Sequence, residues 1–250
     1  MSNINKAVLV TGSAGGIGQS ICKKLIEMNY HVIGVDIDEQ QSSYCSSCIQ
    51  LDLQTLIDNE KAMHQFETRV LELIADNQLT GLINNAAIQI PEALDSISIQ
   101  NFQKSMQVNV VVPLLLTSLF KHSLIDSKGS IVNIGSIHSR LSKSGFISYA
   151  TSKTALAGLT RSLAIELAPY QVMVNCVEPA AIDTDMLRTG FNGDNEKLAE
   201  LNAMHPVHRI GQPEEIAELV AFLIDSKATF MTGATIPIDG AIGARLHDPD

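Results

Sequence analysis

The chain has 250 residues, of which 45% are hydrophobic and 18% charged, a composition typical of a globular protein that buries a substantial core. Its formal net charge of −10 and the lack of a Lys/Arg run argue against a nucleic-acid partner. No apolar run reaches the ~20 residues of a membrane helix and the N-terminus lacks the layout of a signal peptide, so we expect a cytoplasmic protein without a membrane partner.

The first predicted strand, residues 7–10, is followed directly by a glycine-rich turn. The run Thr11-Gly-Ser-Ala-Gly-Gly-Ile-Gly18 leads into a helical stripe of apolar residues. Between a strand and a helix, glycines permit a tight turn, let the backbone approach a pyrophosphate, and leave amides at the positive helix end. The unit therefore predicts a dinucleotide phosphate site, with a βα turn that binds no ligand as the alternative.

The second predicted strand, residues 31–36, ends in an acid. Asp36 lies roughly 20 residues beyond the glycines, where dinucleotide folds place a carboxylate that accepts hydrogen bonds from the adenosine ribose. Asp38 follows, and no arginine is present to accept a 2′-phosphate, so the segment favours NAD over NADP. A simple surface aspartate is the alternative.

The four cysteines do not predict a disulfide framework in a chain of this length. Cys45 and Cys48 have the spacing of a metal or redox pair, but no second pair or histidine cluster accompanies them. We expect free thiols in a connecting segment, with a redox or metal role as the alternative. Cys22 and Cys176 lie in apolar periodic segments and are predicted to be small core residues.

The middle of the chain continues the alternation of strands and helices. Residues 50–53 close a third strand, and residues 54–77 have the pattern of one long amphipathic helix. Residues 81–87 form a fourth strand that ends in small polar residues. A strongly apolar helix is predicted within residues 98–122, where Pro113 predicts a kink or break.

Residues 130–136 are the fifth predicted strand, with Ser136 just past its carboxyl end. Tyr149 and Lys153 follow, four residues apart in a predicted helix over residues 149–167, so both project from one helix face. Free tyrosine titrates near pH ~10, and a nearby ammonium favours the phenolate. The pair is a candidate proton-transfer device with a lowered tyrosine pKa; surface residues at the same spacing are the alternative.

The remaining pattern predicts a sixth strand over residues 172–177, a helix that begins at Pro213, and a last strand over residues 235–238. Pro237 predicts that this last strand lies at a sheet edge. Residues 183–205 offer apolar side chains and glycines, as expected of a lid that closes over a crevice. With no repeats or linkers, the sequence predicts one α/β domain, residues 1–250.

Taken together, these motifs resemble the short-chain dehydrogenase/reductase family over essentially the whole chain. The matching positions are Thr11-Gly-x-x-x-Gly-x-Gly18, Asp36, Asp52, Asn84-Asn-Ala86, Asn109, Ser136, Tyr149-x-x-x-Lys153, Asn175-x-x-x-Pro179, Ile182-x-Thr184 and Asp239-Gly240. The resemblance implies a Rossmann-like, doubly wound parallel sheet of about seven strands with helices on both faces. It also implies pairing of subunits through the helices of residues 98–122 and 149–167, so we expect a homo-oligomer, a tetramer or at least a dimer.

The resemblance also assigns site residues. Tyr149 is the general acid/base and Ser136 hydrogen-bonds the substrate oxygen. Lys153 binds the nicotinamide ribose and lowers the tyrosine pKa, and Asn109 holds a water in the proton relay. The implied NAD-binding positions are Gly12, Ser13, Gly16, Ile17, Gly18, Asp36, Asp52, Leu53, Asn85, Ala86, Tyr149, Lys153, Pro179, Ile182 and Thr184.

Three alanines depart from the family pattern, since Ala87, Ala180 and Ala241 stand where the family usually has glycine. At the first two positions a methyl group would crowd the pocket, or reshape the backbone if a positive φ were needed. His138 borders the expected substrate position, so it either contacts substrate or belongs only to the loop. His205 lies in a connecting stretch with no metal-binding pattern, and we expect no metal.

We therefore expect an NAD-dependent oxidoreductase that transfers hydride between NAD(H) and the alcohol or carbonyl group of a small-molecule substrate. One alternative is a dinucleotide-binding regulator or an inactive partner subunit, against which the intact Ser136, Tyr149 and Lys153 argue. Another is a lyase, epimerase or dehydratase that keeps its nicotinamide bound, for which the chain lacks a long carboxyl-terminal substrate region.

Overall fold

The computed structural model describes residues 6–39, 44–191 and 193–246, and these form one doubly wound α/β domain. Seven parallel strands lie in the order β3-β2-β1-β4-β5-β6-β7. The strands are β1 (Lys6–Thr11), β2 (His31–Asp36), β3 (Ser47–Gln50), β4 (Gln78–Asn84), β5 (Ser130–Ile134), β6 (Met173–Pro179) and β7 (Thr235–Ile238). The predicted Rossmann-like fold is confirmed.

Helices cover both faces of this sheet. They are α1 (Gly16–Glu27), α2 (Glu60–Ile74), α3 (Ile99–Met106), α4 (Val112–Leu119), α5 (Lys121–Ser127), α6 (Ile147–Leu167), α7 (Asp185–Gly190), α8 (Asn195–Met204) and α9 (Pro213–Asp225). In β1, Leu9 packs into the core under α2, α4 and α6, whereas Val8 packs into the core under α1 and α9. Successive side chains of a strand point to opposite faces, which explains why β1 is apolar throughout.

The order of the strands fixes the position of the crevice. The chain proceeds outward from β1 to β3 on one side and from β4 to β7 on the other, so the topological switch point lies between β1 and β4. In open α/β sheets, ligands bind at such a point, outside the carboxyl ends of the strands. The predicted edge position of β7 is confirmed for the described part of the chain, in which Pro237 pairs with Glu178 of β6.

The predicted helix over residues 54–77 is interrupted. A short 3-10 turn, Leu53–Leu56, is capped by Asp52, whose Oδ1 accepts the N–H of Gln54 at 3.0 Å. Asp58 then takes a positive φ of 56°, which ends the turn, and α2 begins only after Asn59. Leu56 is still fully buried, so the apolar pattern identified the buried residues but not the break.

The helix expected within residues 98–122 is divided by a π-helical segment, Gln107–Val111. Pro113 has no N–H for the carbonyl of Asn109 four residues earlier, and the N–H of Val112 donates to Gln107, five residues earlier. The irregularity that Pro113 predicts therefore lies before the proline.

In the described residues no single helix is long and apolar enough to cross a membrane. Only the pair Ile99–Leu119 and Lys121–Ser127, bent by 60°, has the length and composition together.

The prediction of free thiols at Cys45 and Cys48 is wrong, because the two form a disulfide. Cys48 also lies within β3 rather than in a connecting segment, because β3 begins at Ser47, earlier than its sequence pattern indicated. Cys22 and Cys176 are buried free thiols, as predicted.

Candidate active site

The glycine turn between β1 and α1 requires residues without side chains. Gly12 has a φ of +64°, and a Cβ there would lie 2.7 Å from the Cα of Ala86. A Cβ on Gly18 would collide with the carbonyl oxygen of Gly12. The N-cap of α1, Gly15, offers no side-chain hydrogen bond, so the amides of the first helical turn remain available to an anion.

Thr11 joins the ends of β1 and β4. Its Oγ1 accepts the N–H groups of Asn85 at 3.1 Å and of Ala86 at 3.0 Å, and donates to the carbonyl of Ile83 at 3.3 Å. The side-chain amide of Asn85 donates to the carbonyl of Gly12 at 2.8 Å. The structure thus brings Asn85 and Ala86 to the glycine turn. Thr11 was absent from the predicted site residues, although it opens the glycine motif.

Asp36 is anchored to the same turn. Its Oδ2 accepts the N–H of Ala14 at 2.7 Å and its Oδ1 accepts the N–H of Asp38 at 3.1 Å. A carboxylate offers about four acceptor positions, so Asp36 retains acceptors for ribose hydroxyls. Asp52 follows the neighbouring strand and is exposed, whereas the side chain of Leu53 is buried in the core and leaves only its backbone for a ligand.

The segment after β6 closes the other side of the turn. A Cβ on Gly16 would lie 3.1 Å from Cγ2 of Thr184, so Thr184 reaches the glycine turn. Its hydroxyl caps α7 by accepting the N–H of Leu187 at 3.3 Å. Pro179 is buried at the end of β6, and Ile182 is buried in the core with α9, so its backbone is the part left for a ligand.

These residues fit a dinucleotide. The hydroxyl of Ser13 in the glycine turn is fully buried and has no hydrogen-bond partner among the described residues. Ile17 is partly buried and packs against the core under α1. Backbone without Cβ atoms, open amides and a carboxylate at the end of β2 are the features that a pyrophosphate and a ribose require.

The predicted catalytic residues lie next to this crevice. Ser136 follows β5 and is 6% exposed, while Tyr149 and Lys153 occupy the first turns of α6. The Nζ of Lys153 donates to the carbonyl of Ile134 at 2.7 Å and lies 5.6 Å from the ring centroid of Tyr149. The predicted proximity of lysine and phenol is confirmed.

The ionisation of the pair differs from the expectation. Burial lowers the pKa of Lys153 from 10.5 to about 8, against a smaller opposite effect of Cys176. Burial also raises the pKa of Tyr149, and the hydrogen bond with the Ser136 hydroxyl acts in the opposite direction. In the protein alone, burial is the largest influence on the tyrosine pKa and raises it, so the expected net lowering is absent.

Asn109 lies in the π-helical segment and is 1% exposed. Its side-chain amide oxygen accepts the N–H of Ile88 and its Nδ2 donates to the carbonyl of Ile88, both at 2.9 Å. Nδ2 also donates to Oγ of Ser152 at 2.9 Å, and Ser152 donates to the carbonyl of Tyr149 at 2.7 Å. Asn109 therefore connects the segment after β4 to the catalytic helix; its part in a water relay stays a prediction. Ser152 was missed because a serine inside a helix carries no distinctive pattern.

His138 belongs to a cluster of rings at the start of α6. Its ring stacks on Phe146 at 4.7 Å and meets the ring of Tyr149 edge-on at 5.8 Å between centroids. Burial lowers the pKa of His138, nearby Lys143 lowers it further, and the backbone of Leu141 opposes them. The neutral imidazole thus borders the ring of Tyr149, and its contact with substrate stays a prediction.

The segment predicted as a lid holds α7 and α8. Met186 is 64% exposed and Met204 is 45% exposed, so neither is covered by the rest of the domain. His205 is buried at the end of this segment, and its Nδ1 donates to the carbonyl of Leu201 at 2.8 Å. Closure of the segment stays a prediction.

Among the described residues no group of three His, Cys, Asp or Glu side chains could hold a metal ion.

The three alanines in place of glycine differ from one another. Neither Ala87 nor Ala180 has a positive φ, so an alanine is accommodated there without backbone strain. Ala241 has a φ of 68°, a left-handed conformation that favours glycine. Of the three alanines that replace a family glycine, Ala241 in the C-terminal turn is therefore the one with backbone strain.

Comparisons with known proteins agree with this geometry. A family model described as enoyl-(acyl carrier protein) reductase matches residues 12–242. The chain is 33% identical over 239 residues to the L-xylulose reductase of Caenorhabditis elegans, covering 94% of this chain and 95% of that protein. The ligand-free aldohexose dehydrogenase of Thermoplasma acidophilum has a TM-score of 0.89 at 30% identity, covering 98% and 97% of the two chains. The structure of ElxO with NADP bound has a TM-score of 0.84 at 26% identity, covering 96% and 100%. The chain belongs to the short-chain dehydrogenase/reductase family of Rossmann-fold oxidoreductases, which bind nicotinamide dinucleotides and transfer hydride.

Proposed function

We propose that the protein is an NAD(H)-dependent oxidoreductase that acts on the alcohol or carbonyl group of a small molecule, with Tyr149 as the general acid/base. The observation that supports this most is the convergence of Ser136, Tyr149 and Lys153 at the carboxyl end of β5. When bound, the nicotinamide supplies or accepts the hydride, and the protein supplies orientation and the proton.

The hydrogen bonds of the site support a separate role for each of these three residues. Oγ of Ser136 accepts the N–H of His138 at 3.2 Å, and its hydroxyl proton, which is shared with Tyr149 in the protein alone, is available to the substrate oxygen when substrate binds. Tyr149 exchanges a proton with that oxygen. The ammonium of Lys153 has three protons, of which the carbonyl of Ile134 takes one, so two remain for ribose hydroxyls.

The preference for NAD rests on the charge at the end of β2. Asp36 is fixed there by two backbone N–H groups, and Asp38 adds a second carboxylate two residues later. A 2′-phosphate placed at this position would meet negative charge. Among the structural neighbours, ElxO has NADP bound and a 3-ketoacyl-(acyl-carrier-protein) reductase from Brucella melitensis has NADH bound, so the proposed preference rests on these side chains and not on the fold.

Replacement of Tyr149 by phenylalanine tests the acid/base assignment. The first substrates to screen are sugars and polyols, with NAD or NADH read at 340 nm, because two relatives are named for L-xylulose and aldohexoses. Tyr149→Phe should lower turnover by about 10²–10⁴-fold, the usual contribution of a placed acid or base. NADH binding should persist, because the glycine turn and Asp36 remain. Tyr170→Phe, at a half-exposed ring, is the matched control and should retain turnover. Near-normal turnover of Tyr149→Phe would contradict the assignment.

We also propose a homo-oligomer, a tetramer, assembled through the helices around α4 and α6. Leu114 on α4 is 46% exposed and Ile165 on α6 is 75% exposed, so both helices present apolar side chains to solvent. Exposed apolar surface of this kind favours burial against a partner. Sedimentation at micromolar concentration should give the mass of four 27.0 kDa chains; a single-chain mass would refute the assembly.

A further inference from the structure

The disulfide between Cys45 and Cys48 has no part in the proposed reaction. Cys45 is 5% exposed, whereas Cys48 is exposed to solvent at the edge of the sheet. The other two cysteines, Cys22 and Cys176, are buried free thiols. The protein therefore has one disulfide, and a soluble reductant reaches it from the side of Cys48.

The disulfide lies where β3 begins. Ser46, between the two cysteines, donates its N–H to the carbonyl of Val32 at 2.8 Å, and its hydroxyl accepts the N–H of Val32 at 3.1 Å. β3 has four residues and, among the described strands, pairs with β2 alone. A strand this short is held by few hydrogen bonds, so a covalent link at its start restricts the conformations that its first residues can adopt.

The other end of β3 supports the carboxylate proposed to bind the adenosine ribose. Gln50 lies opposite Asp36 in the parallel register, and the N–H of Leu51 donates to the carbonyl of Asp36 at 2.7 Å. The side chain of Gln50 donates to the carbonyl of Ile37 at 3.1 Å. The pairing of β2 with β3 thus connects the start of β3, where the disulfide lies, to the backbone of Asp36.

We propose that Cys45 and Cys48 form a site of reversible thiol–disulfide exchange that takes a small-molecule dithiol, and that reduction weakens binding of NAD(H). A thiolate of the reductant attacks Sγ of Cys48, the S–S bond breaks, and its electron pair goes to Sγ of Cys45, which takes up a proton. The second thiolate of the reductant then displaces Cys48 from the mixed disulfide. Two electrons and two protons pass to the protein, and the reductant becomes a cyclic disulfide. The proposal rests on the proposed function only in taking NAD(H) as the ligand.

Linkage makes the effect reciprocal. If reduction raises the Kd for NADH about 5-fold, at the low end of ordinary coupling between two sites, NADH must oppose reduction by the same factor. The ratio of reduced to oxidised dithiothreitol needed for half-reduction should therefore rise about 5-fold in saturating NADH.

The experiment counts thiols and measures NADH binding on the same full-length protein. Maleimide labelling after denaturation should find two thiols in protein purified without reductant and four after dithiothreitol. Fluorescence titration should give a higher Kd for NADH with the reduced protein than with the oxidised protein. Cys48→Ser should have this higher Kd with or without dithiothreitol, and so should the double variant Cys45→Ala/Cys48→Ala. Ser47→Ala, which keeps both cysteines, is the matched control and should respond as the wild type does.

Four labelled thiols in the untreated protein would overturn the disulfide. Equal Kd values in the two redox states would overturn the coupling while leaving the proposed function intact, since that function is judged by the turnover of Tyr149→Phe. Failure of NADH to bind in either state would reject the NAD(H) assignment and the coupling with it.

Discussion

Replacing Lys153 with methionine should stabilise the cofactor-free protein at neutral pH while removing its activity. The residue is 2% exposed, and burial lowers its pKa from 10.5 to about 8. Methionine has a similar length and no charge, so it removes the desolvation penalty of the ammonium. It also leaves the carbonyl of Ile134 without its donor, which costs ~1–3 kcal/mol.

The direction in which the stability of the wild type changes with pH follows from proton binding. Because the folded protein lowers the pKa of Lys153, the unfolded chain binds more protons between pH about 8 and 10.5, and wild-type stability rises over that window. Below it the full penalty is present, and a fall in pKa from 10.5 to about 8 corresponds to about 3 kcal/mol. The free energy of unfolding of Lys153→Met minus that of the wild type should therefore be positive at pH ~7, and should decrease by about 2–3 kcal/mol by pH ~10.

Urea unfolding followed by circular dichroism, at matched protein concentration without cofactor, measures this difference. Burial also raises the pKa values of Tyr30 and Cys22, and these groups titrate in the alkaline range, but they contribute equally to both proteins. Lys61→Met, at an exposed position on α2, is the matched control and should show a difference that does not change with pH. A pH-independent difference for Lys153→Met as well would refute the reasoning.

Two further predictions follow from the positions of single side chains. The wild type should bind NADH more tightly than NADPH in a fluorescence titration. Asp36→Ser should bring the Kd values for the two cofactors closer together, because it removes the carboxylate that a 2′-phosphate would meet. Tighter binding of NADPH than of NADH by the wild type would contradict this prediction. Ala241→Gly should raise the free energy of unfolding by about 1 kcal/mol, because the residue has a φ of 68°. Ala180→Gly, at a position without a positive φ, should lower the free energy of unfolding by ~0.4–1 kcal/mol. If thermal unfolding showed Ala180→Gly to be the more stable of the two variants, the assignment of strain to Ala241 would be refuted.

The sequence was most informative where one residue type is required by local geometry. The glycines between β1 and α1 and the acid at the end of β2 each have a stereochemical reason, and the structure places them together. The alternation of strands and helices predicts a parallel sheet, and the polar motifs at the carboxyl ends of its strands predict the crevice. The fold class and the crevice were therefore predictable without tertiary information.

The breaks in helices, the hydrogen-bond partners of the site residues and the disulfide were not predictable. The apolar stripe of residues 54–77 continues through Leu56 although the helix does not, because burial fixes which side chains are apolar and the positive φ of Asp58 breaks the helix. Ser152 accepts a hydrogen bond from Asn109, which lies in a π-helical segment that the sequence pattern did not indicate. The disulfide was missed because two cysteines three residues apart do not reveal whether the backbone between them allows closure.

The ionisation of Tyr149 and Lys153 shows why spacing alone misjudged the proton chemistry. Four residues along a helix bring a phenol and an ammonium together, and in water their attraction would favour the charged forms. Within the fold, both groups are desolvated, so burial raises the tyrosine pKa and lowers that of lysine, and each shift favours the neutral side chain. A protonated phenol beside the Ser136 hydroxyl is the form that donates a proton to a carbonyl oxygen. Proton removal from an alcohol needs the phenolate instead, and only additional positive charge or hydrogen-bond donors at the site can stabilise it. The fold thus sets the resting protonation state, and the ligands that fill the crevice determine how far the pair departs from it.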